Sequence, residues 1–302
     1  MSVAAAPAVS ARDWLKALTD KAPRFWLGLF TVIVCVHLYI TPHADALLRW
    51  AAIICFVSGL AMAERLLGRA LQIAGAIIVV GLLLVDWMLF ANHGFLIAYF
   101  AVFFAACAIT RADFWKQAVW FTRAMMALVM GAALCHKLVS PYFMNGNLLG
   151  EMLLSGQFYT RILNQLYGGT IDIVERTREA QAQIHTNYDI QSTIGAVDLP
   201  EIGLFLLVVI YAMTMVSVVV QGLLEAALIW RRSFGIWLHR LIFGFSVMVY
   251  SLTAENVFLS MNLMMGYALT DEHSRSMRLP YVIFIAYLLI SRVLLYRPVF
   301  LH

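Results

Sequence analysis

Long runs of apolar residues follow one another through most of the sequence and constrain its fold more than any other feature. A helix needs about 20 mostly apolar residues to cross a bilayer, and Leu71–Ala91 and Ala118–Leu138 each supply such a run. The chain is 63% hydrophobic and only 13% charged, whereas soluble domains carry about 25% charged residues. The sequence therefore predicts an integral membrane protein rather than a large soluble domain.

Polar residues, prolines and tight turns divide the apolar sequence into separate predicted helices. The runs are Arg24–Thr41, Ala46–Met62, Leu71–Ala91, Phe95–Ile109, Ala118–Leu138, Pro200–Trp230, Phe234–Leu252, Val257–Leu269 and Tyr281–Tyr296. The run that starts at Val257 is short and contains Asn262 and Gly266, so it is either tilted or only partly spanning. We expect an all-α, polytopic helical bundle of eight or nine membrane helices. Residues 1–23 would be a cytoplasmic tail, and residues 24–302 a single transmembrane domain.

The connection between the fifth and sixth runs does not have the composition of a membrane span. Residues 147–167 mix apolar and charged side chains, and their apolar positions recur at roughly helical spacing. This pattern favours an amphipathic helix that is interfacial or re-entrant. Residues 171–199 are polar and are expected to lie in water. We expect residues 145–199 as a whole to form an extracytoplasmic segment and loop.

The distribution of lysine and arginine predicts the orientation of the chain. If the N-terminus is cytoplasmic, nearly all the lysines and arginines of the loops between helices lie on the cytoplasmic side. The turns at Pro42, Asn92 and Ala254, on the opposite side, carry almost none. This agrees with the tendency of cytoplasmic loops to be positively charged. The prediction places Lys137 and the 141–199 loop on the outer face. The basic residues on the predicted inner side include Arg24, Arg65, Arg69, Arg111, Lys116, Arg231, Arg232, Arg275 and Arg278.

Several classes of site are not indicated by the sequence. Its four cysteines lie in apolar runs and form no CxxC pair, so we interpret them as small buried side chains. The histidines lack the spacing of metal ligands. We therefore expect no metal site. There is no basic tract for nucleic acid, no glycine-rich phosphate loop and no G-x-S-x-G elbow.

Lys137 is the most informative ionisable residue in the apolar sequence. It follows His136 at the end of a long run that Ser140-Pro141 must stop, because proline donates no backbone hydrogen bond and restricts the residue before it. Asp86 is predicted at a similar depth and could pair with Lys137. Charged groups are costly at membrane depth, and desolvation disfavours the ammonium form, so the lysine could act as a general base. The alternatives are a structural ion pair with Asp86 and a lysine that extends to the headgroups.

Other ionisable residues of the apolar runs have simpler interpretations. Glu225 precedes Arg231 and Arg232 near the predicted inner end of the sixth run, and an intrahelical ion pair accounts for it. His239 lies beside Arg240 near the inner end of the seventh run. A lone membrane histidine is more often a hydrogen-bonded packing residue than a ligand, although a functional role is the open alternative.

Two stretches resemble a known family of membrane domains. Lys137-Leu138, followed by Ser140-Pro141-Tyr142-Phe143 and Gly146, resembles a lysine-containing segment of HTTM-type domains. That family includes the membrane domain of vitamin K-dependent γ-glutamyl carboxylase and its bacterial relatives. Downstream, Glu201-x-Gly203-Leu204, Arg232-Ser233-x-Gly235 and then His239 resemble the family's later helices. The resemblance extends over roughly residues 20 to 300.

The resemblance implies roles for individual residues. In the carboxylase the lysine is the base that starts oxygenation of a reduced quinone, and a histidine supports carboxylation, which implies Lys137 as base and His239 as its partner. His136, Asp86, Glu225 and Arg232 would be supporting residues. The sequence also departs from the family. His136 replaces a second lysine, Gly235 and His239 are about one helical turn closer, and no counterpart of the carboxylase's substrate-recognition domain is expected.

Two functional hypotheses from different classes remain open at this stage. The first is an HTTM-like membrane enzyme that uses Lys137 against a quinone or another membrane-delivered substrate at the outer face, in a bacterial inner membrane. The second is a non-catalytic membrane subunit that assembles or stabilises a larger membrane complex, with residues 147–199 as its docking surface. Both predict the lipid bilayer as a partner and no nucleic acid. The sequence alone leaves open whether the chain is an enzyme.

Overall fold

A computed structural model of the chain describes residues 22–40, 45–85, 92–110, 113–154, 168–169, 171–176, 204–230, 235–253 and 255–295. Within these ranges the backbone is helical between short turns and contains no strand, so the all-α prediction is confirmed there. A short 3₁₀ turn, Arg275–Met277, precedes the last helix. The helices are α1 (Pro23–Ile40), α2 (Ala46–Ala61), α3 (Leu66–Val85), α4 (Asn92–Thr110), α5 (Phe114–Val139), α6 (Pro141–Met144), α7 (Asn147–Leu154), α8 (Leu204–Ile229), α9 (Gly235–Thr253), α10 (Asn256–Leu269) and α11 (Arg278–Leu295).

Five of these helices are long and apolar enough to cross a membrane. They are α1, α3, α5, α8 and the helical stretch that contains α11. Many large apolar side chains on them point away from the protein, including Leu84, Leu204 and Leu294, each more than two-thirds exposed. Contiguous apolar surface of this extent is not tolerated in water, whereas lipid covers it without penalty. The expected helical membrane protein is confirmed at this level.

The helix boundaries follow from local sequence signals. Asp45 accepts a hydrogen bond from the backbone N–H of Leu48 at 3.1 Å and so caps α2. Helix α5 ends at Val139, and Ser140 then caps the short helix α6 by accepting from the N–H of Phe143 at 3.3 Å. Pro141 occupies the first turn of α6, where its missing N–H would have had no partner. The predicted helix break at Ser140-Pro141 is therefore present.

The chain forms two compact units, which are described separately. Unit 1 comprises Met1–Met126, Gly235–Ile242 and Asn256–His302, and unit 2 comprises Ala127–Phe234 and Phe243–Glu255. Helices α1 to α4, α10 and α11 belong to unit 1, and helices α6 to α8 belong to unit 2. The residues of α5 and of α9 are divided between the two units.

Unit 1 is organised around a cluster of aromatic side chains. Trp26 is fully buried, and its indole N–H donates to the carbonyl of Met264 at 3.1 Å. Its ring lies 5.0 Å from that of Phe104 and 5.6 Å from that of Trp115, and Phe30 lies 4.8 Å from Phe104. Aromatic pairs in this distance range stabilise beyond the area that they bury. The cluster joins α1 to α4, α5 and α10.

Helix α10 is the interior helix of unit 1. All of its residues except Phe258 are buried, which is typical of a helix enclosed by others rather than facing lipid. One of its polar residues bonds to a neighbouring helix, since Asn256 donates to the carbonyl of Leu288 on α11 at 2.9 Å. The short apolar run that was predicted from the sequence therefore corresponds to a helix that is enclosed within unit 1.

Gly266 is a point of close contact between α10 and α11. A Cβ at this position would lie 2.6 Å from Cε1 of Tyr281, whose ring is fully buried and cannot move without losing its own contacts. We expect Gly266→Ala to lower the free energy of unfolding by about 1–3 kcal/mol, the usual effect of overpacking. Denaturation in mixed detergent micelles would measure the loss. Gly81→Ala is the control, because nothing lies within 4 Å of a Cβ there, and an equal loss in both variants would contradict the explanation.

Unit 2 contains a smaller apolar core in which α7 packs on α8. Its fully enclosed members are Leu149, Leu153, Leu206 and Ile210. The predicted amphipathic helix is thus present over Asn147–Leu154, but it buries Leu149 and Leu153, and Leu148 is exposed. The remainder of the predicted amphipathic segment and most of the polar loop lie outside the described residues.

The turn between α6 and α7 depends on a glycine. Gly146 has a φ of 76°, a left-handed conformation that other residues rarely adopt. A Cβ on Gly146 would also lie 2.8 Å from Cγ2 of Ile210 on α8. The glycine therefore permits both the sharp turn and the close contact of this turn with α8.

Candidate functional site

Lys137 lies in the last turn of α5, immediately before the Ser140-Pro141 break. Its Nζ is 5.0 Å from the centre of the Phe143 ring, which is itself buried. A lysine in this position relative to an aromatic ring makes a cation–π interaction. The contact exists because the break folds α6 back toward the end of α5, and it fixes the amine close to the turn.

The Lys137 side chain is only partly buried. Leu138, Val139 and Tyr142 are exposed beside it, as is His136. Among the residues that the structure describes, no carboxylate lies within ion-pair distance of the Lys137 amine. The amine is therefore held by an aromatic face and not by a carboxylate of the described part of the chain.

Two of the predicted supporting residues cannot be placed around Lys137. Asp86, the proposed ion-pair partner, and Arg232, the proposed partner of Glu225, both lie outside the described residues. The structural ion pair between Asp86 and Lys137 remains a prediction. So does the pairing of Glu225 with Arg231 and Arg232.

His239 lies in the first turns of α9 in unit 1, whereas Lys137 belongs to unit 2. Its ring is 3% exposed, and Nδ1 shares a hydrogen bond of 2.9 Å with the hydroxyl of Tyr281 on α11. The two rings meet edge to face at 5.8 Å. The adjacent Arg240 instead lies over the ring of Trp237 at 4.6 Å. The histidine is thus enclosed and hydrogen-bonded within its own unit.

A polar network at the α10–α11 turn of unit 1 was not anticipated from the sequence. Arg278 is almost completely buried, and its Nε donates to Oγ1 of Thr270 at 3.0 Å. One Nη of Arg278 donates to the carbonyl of Asp271 at 3.4 Å and lies 3.7 Å from the carboxylate of Glu272. A buried guanidinium that bonds in several directions fixes the start of α11 against the end of α10. The sequence signal for this turn is Asp271-x-x-Ser274.

Asp271 and Ser274 close that turn by hydrogen-bonding to each other. The Asp271 carboxylate accepts from both the N–H and the hydroxyl of Ser274 at 2.8 Å, and Ser274 Oγ accepts from the N–H of Asp271 at 2.9 Å. Partial burial acts to raise the pKa of Asp271, but the two hydrogen bonds from Ser274 outweigh it and lower the pKa below 3.8, assisted by the charges of His273 and His239. The carboxylate form is therefore the one that this turn stabilises.

We expect Asp271→Asn to remove a pH-dependent part of the stability. Because the pKa of Asp271 is lower in the folded state, its contribution is fully present above pH 3.8 and is lost as the pH falls further. The difference in Tm between the wild type and Asp271→Asn should therefore be constant near neutral pH and should shrink below pH 3.8. Thermal unfolding in detergent over this pH range measures it. A difference that stays the same at every pH would contradict the prediction.

Glu225 lies on α8 in unit 2 and faces α5. Its Oε1 would be 3.2 Å from a Cβ on Gly131, so the absence of a side chain at Gly131 leaves room for the carboxylate. One helical turn earlier, Gln221 donates from Nε2 to the carbonyl of Met130 at 2.9 Å. Sequence reasoning identified Glu225 but not Gln221, whose partner is 91 residues away in the chain.

The described residues bring together no group of three or more His, Cys, Asp and Glu side chains that could hold a metal ion.

Comparison with known proteins adds no assignment. No protein-family model, curated protein or solved structure matches the chain.

Proposed function

We propose that the chain is an HTTM-like membrane enzyme that uses Lys137 as a base at the outer face, acting on a quinone or another substrate delivered through the membrane. The proposal includes eight or nine membrane helices, a cytoplasmic N-terminus and a bacterial inner membrane. Within unit 1, Arg24 contacts Glu64 at 3.6 Å, so the start of α1 and the end of α2 lie together. This is the arrangement required if both lie on the positively charged inner side.

The observation that carries the proposal is the environment of the Lys137 amine. It lies at the end of an apolar helix, over the Phe143 ring, with no described carboxylate within ion-pair distance. A base must be able to lose its proton, and a desolvated amine without a counter-ion does so most readily.

The proposal places the quinone against the exposed residues that follow Lys137 in the chain. Exposed Leu138, Val139 and Tyr142 offer apolar and aromatic surface to a molecule that arrives through lipid. When bound, a reduced quinone would supply an acidic hydroxyl. The part of this chain would be to accept a proton at Nζ of Lys137, and to keep the amine in position through the Ser140 cap and Phe143.

A non-catalytic membrane subunit is the second candidate, and the position of His239 favours it. The resemblance implies His239 as a second functional residue, but its ring is enclosed in unit 1 and bonded to Tyr281. A side chain so enclosed is suited to packing. On this hypothesis the chain would be recovered from native membranes, without overexpression, in a stable complex with other membrane proteins.

The experiment that tests the enzyme proposal is the consumption of oxygen by proteoliposomes. The purified full chain is reconstituted into phospholipid vesicles with reduced vitamin K, and the rate is compared with that of vesicles without protein. We expect a protein-dependent rate. A rate equal to the background, from protein that elutes as a single folded species, would favour the non-catalytic subunit.

A further inference from the structure

Two polar side chains of α8, the most apolar of the described candidate spans, face the backbone of α5 within unit 2. Gln221 is 1% exposed and is anchored by its bond to the carbonyl of Met130. Glu225 follows one helical turn later and lies against Gly131, the residue after Met130. Residues four apart on a helix are neighbours on one face. The two side chains therefore lie on the same face of α8, toward consecutive residues of α5.

Both side chains have an acceptor oxygen that lacks a donor. Within the described residues, no donor reaches Oε1 of Gln221 or Oε2 of Glu225, and both atoms are buried. Exchanging the amide atoms of Gln221 would not help, because its amide nitrogen is needed to donate to the carbonyl of Met130. A buried acceptor without a donor is costly, and an ionised carboxylate offers only acceptors.

We propose that Glu225 and Gln221 form a proton-binding site within the membrane. A proton on Glu225 converts one of the two acceptors into an O–H donor, and Oε1 of Gln221 is the neighbouring acceptor on the same helix face. A metal cation is a poorer occupant, since hard cations such as Ca²⁺ require about six to eight oxygen ligands. Acidic residues inside membrane spans commonly bind and release protons. This site is independent of Lys137 and of the enzyme proposal.

The partial exposure of Glu225 allows a chemical test from the lipid side. Dicyclohexylcarbodiimide is apolar and partitions into membranes, where it reacts with carboxyl groups that carry a proton. The carboxyl proton moves to a nitrogen of the reagent, the carboxyl oxygen bonds to the central carbon, and the adduct rearranges to a stable N-acylurea. Nothing leaves, so the modified peptide gains the full mass of the reagent.

The experiment treats the full chain in proteoliposomes at neutral pH with this reagent and locates the adduct by peptide mass spectrometry. We expect modification of Glu225 and its loss in Glu225→Gln, whereas exposed Glu64 and Glu272 should react only with a water-soluble carbodiimide. Glu225→Gln should also keep its thermal stability, because glutamine is a neutral isostere of the protonated acid. Glu225→Asp is the matched variant, because it keeps the carboxyl group but shortens the side chain and so moves the carboxyl group away from its position.

Three results would overturn the proposal. The first is no modification of Glu225 in folded protein. The second is protection of Glu225 when sodium chloride replaces choline chloride at equal concentration, because this would indicate a sodium site. The third is a lower Tm in Glu225→Gln, because this would indicate an ionised carboxylate that is paired. Each readout is obtained without an activity assay.

Discussion

Trp26→Ala is expected to lower the free energy of unfolding by about 3–5 kcal/mol, as in other truncations of fully buried large aromatic residues. The ring fills the centre of the aromatic cluster of unit 1, and its N–H bonds to the carbonyl of Met264. In lipid the loss comes from broken packing and an empty cavity rather than from transfer to water. Denaturation of the purified protein in mixed detergent micelles, followed by circular dichroism, measures the change.

Trp120→Ala is the matched control for this substitution. Trp120 lies on α5 but is 65% exposed, so its replacement should change stability by no more than about 0.5 kcal/mol. If the two variants lose similar amounts, the aromatic cluster is not the main stabilising core of unit 1. A loss confined to Trp26→Ala would support the central position of α1 in that unit.

The helices were largely predictable because their signals are local. Apolar runs, the Ser140-Pro141 break and the short polar turns depend on neighbouring residues, and each predicted run overlaps a described helix, although the ends differ by several residues in places. Packing partners were not predictable in the same way. The burial of α10 depends on which helices surround it, and a single sequence does not show which helices those are.

The candidate sites show the same division between local and distant contacts. Lys137 and Phe143 are six residues apart, and their contact follows from a break that the sequence shows. His239 and Tyr281 are 42 residues apart, and Gln221 and Met130 are 91 apart. Those pairs form only when separate helices meet. The sequence therefore identified His239 and Glu225 as candidates but not Tyr281 or Gln221, and it gave Arg278 only as a basic residue of the inner side.

Lys137→Met is expected to reduce quinone-dependent oxygen consumption by about 100-fold to 10,000-fold, the usual contribution of a general base. Methionine keeps an unbranched side chain of similar length but removes the amine that lies over Phe143, so we expect the turn between α5 and α6 to keep its shape. The rate in proteoliposomes and the Tm of the same preparation are measured together. Lys116→Met is the control, because Lys116 is exposed at the opposite end of α5 and should leave both values unchanged.

The most direct test of Lys137 as a base is the oxygen consumption of Lys137→Arg. Arginine keeps the positive charge and can lie over Phe143, but it does not release its proton in proteins. If Lys137 is a base, this variant has the Tm of the wild type and the same low rate as Lys137→Met. If Lys137→Arg consumes oxygen as fast as the wild type, Lys137 serves as a fixed charge and the proposed base mechanism is wrong.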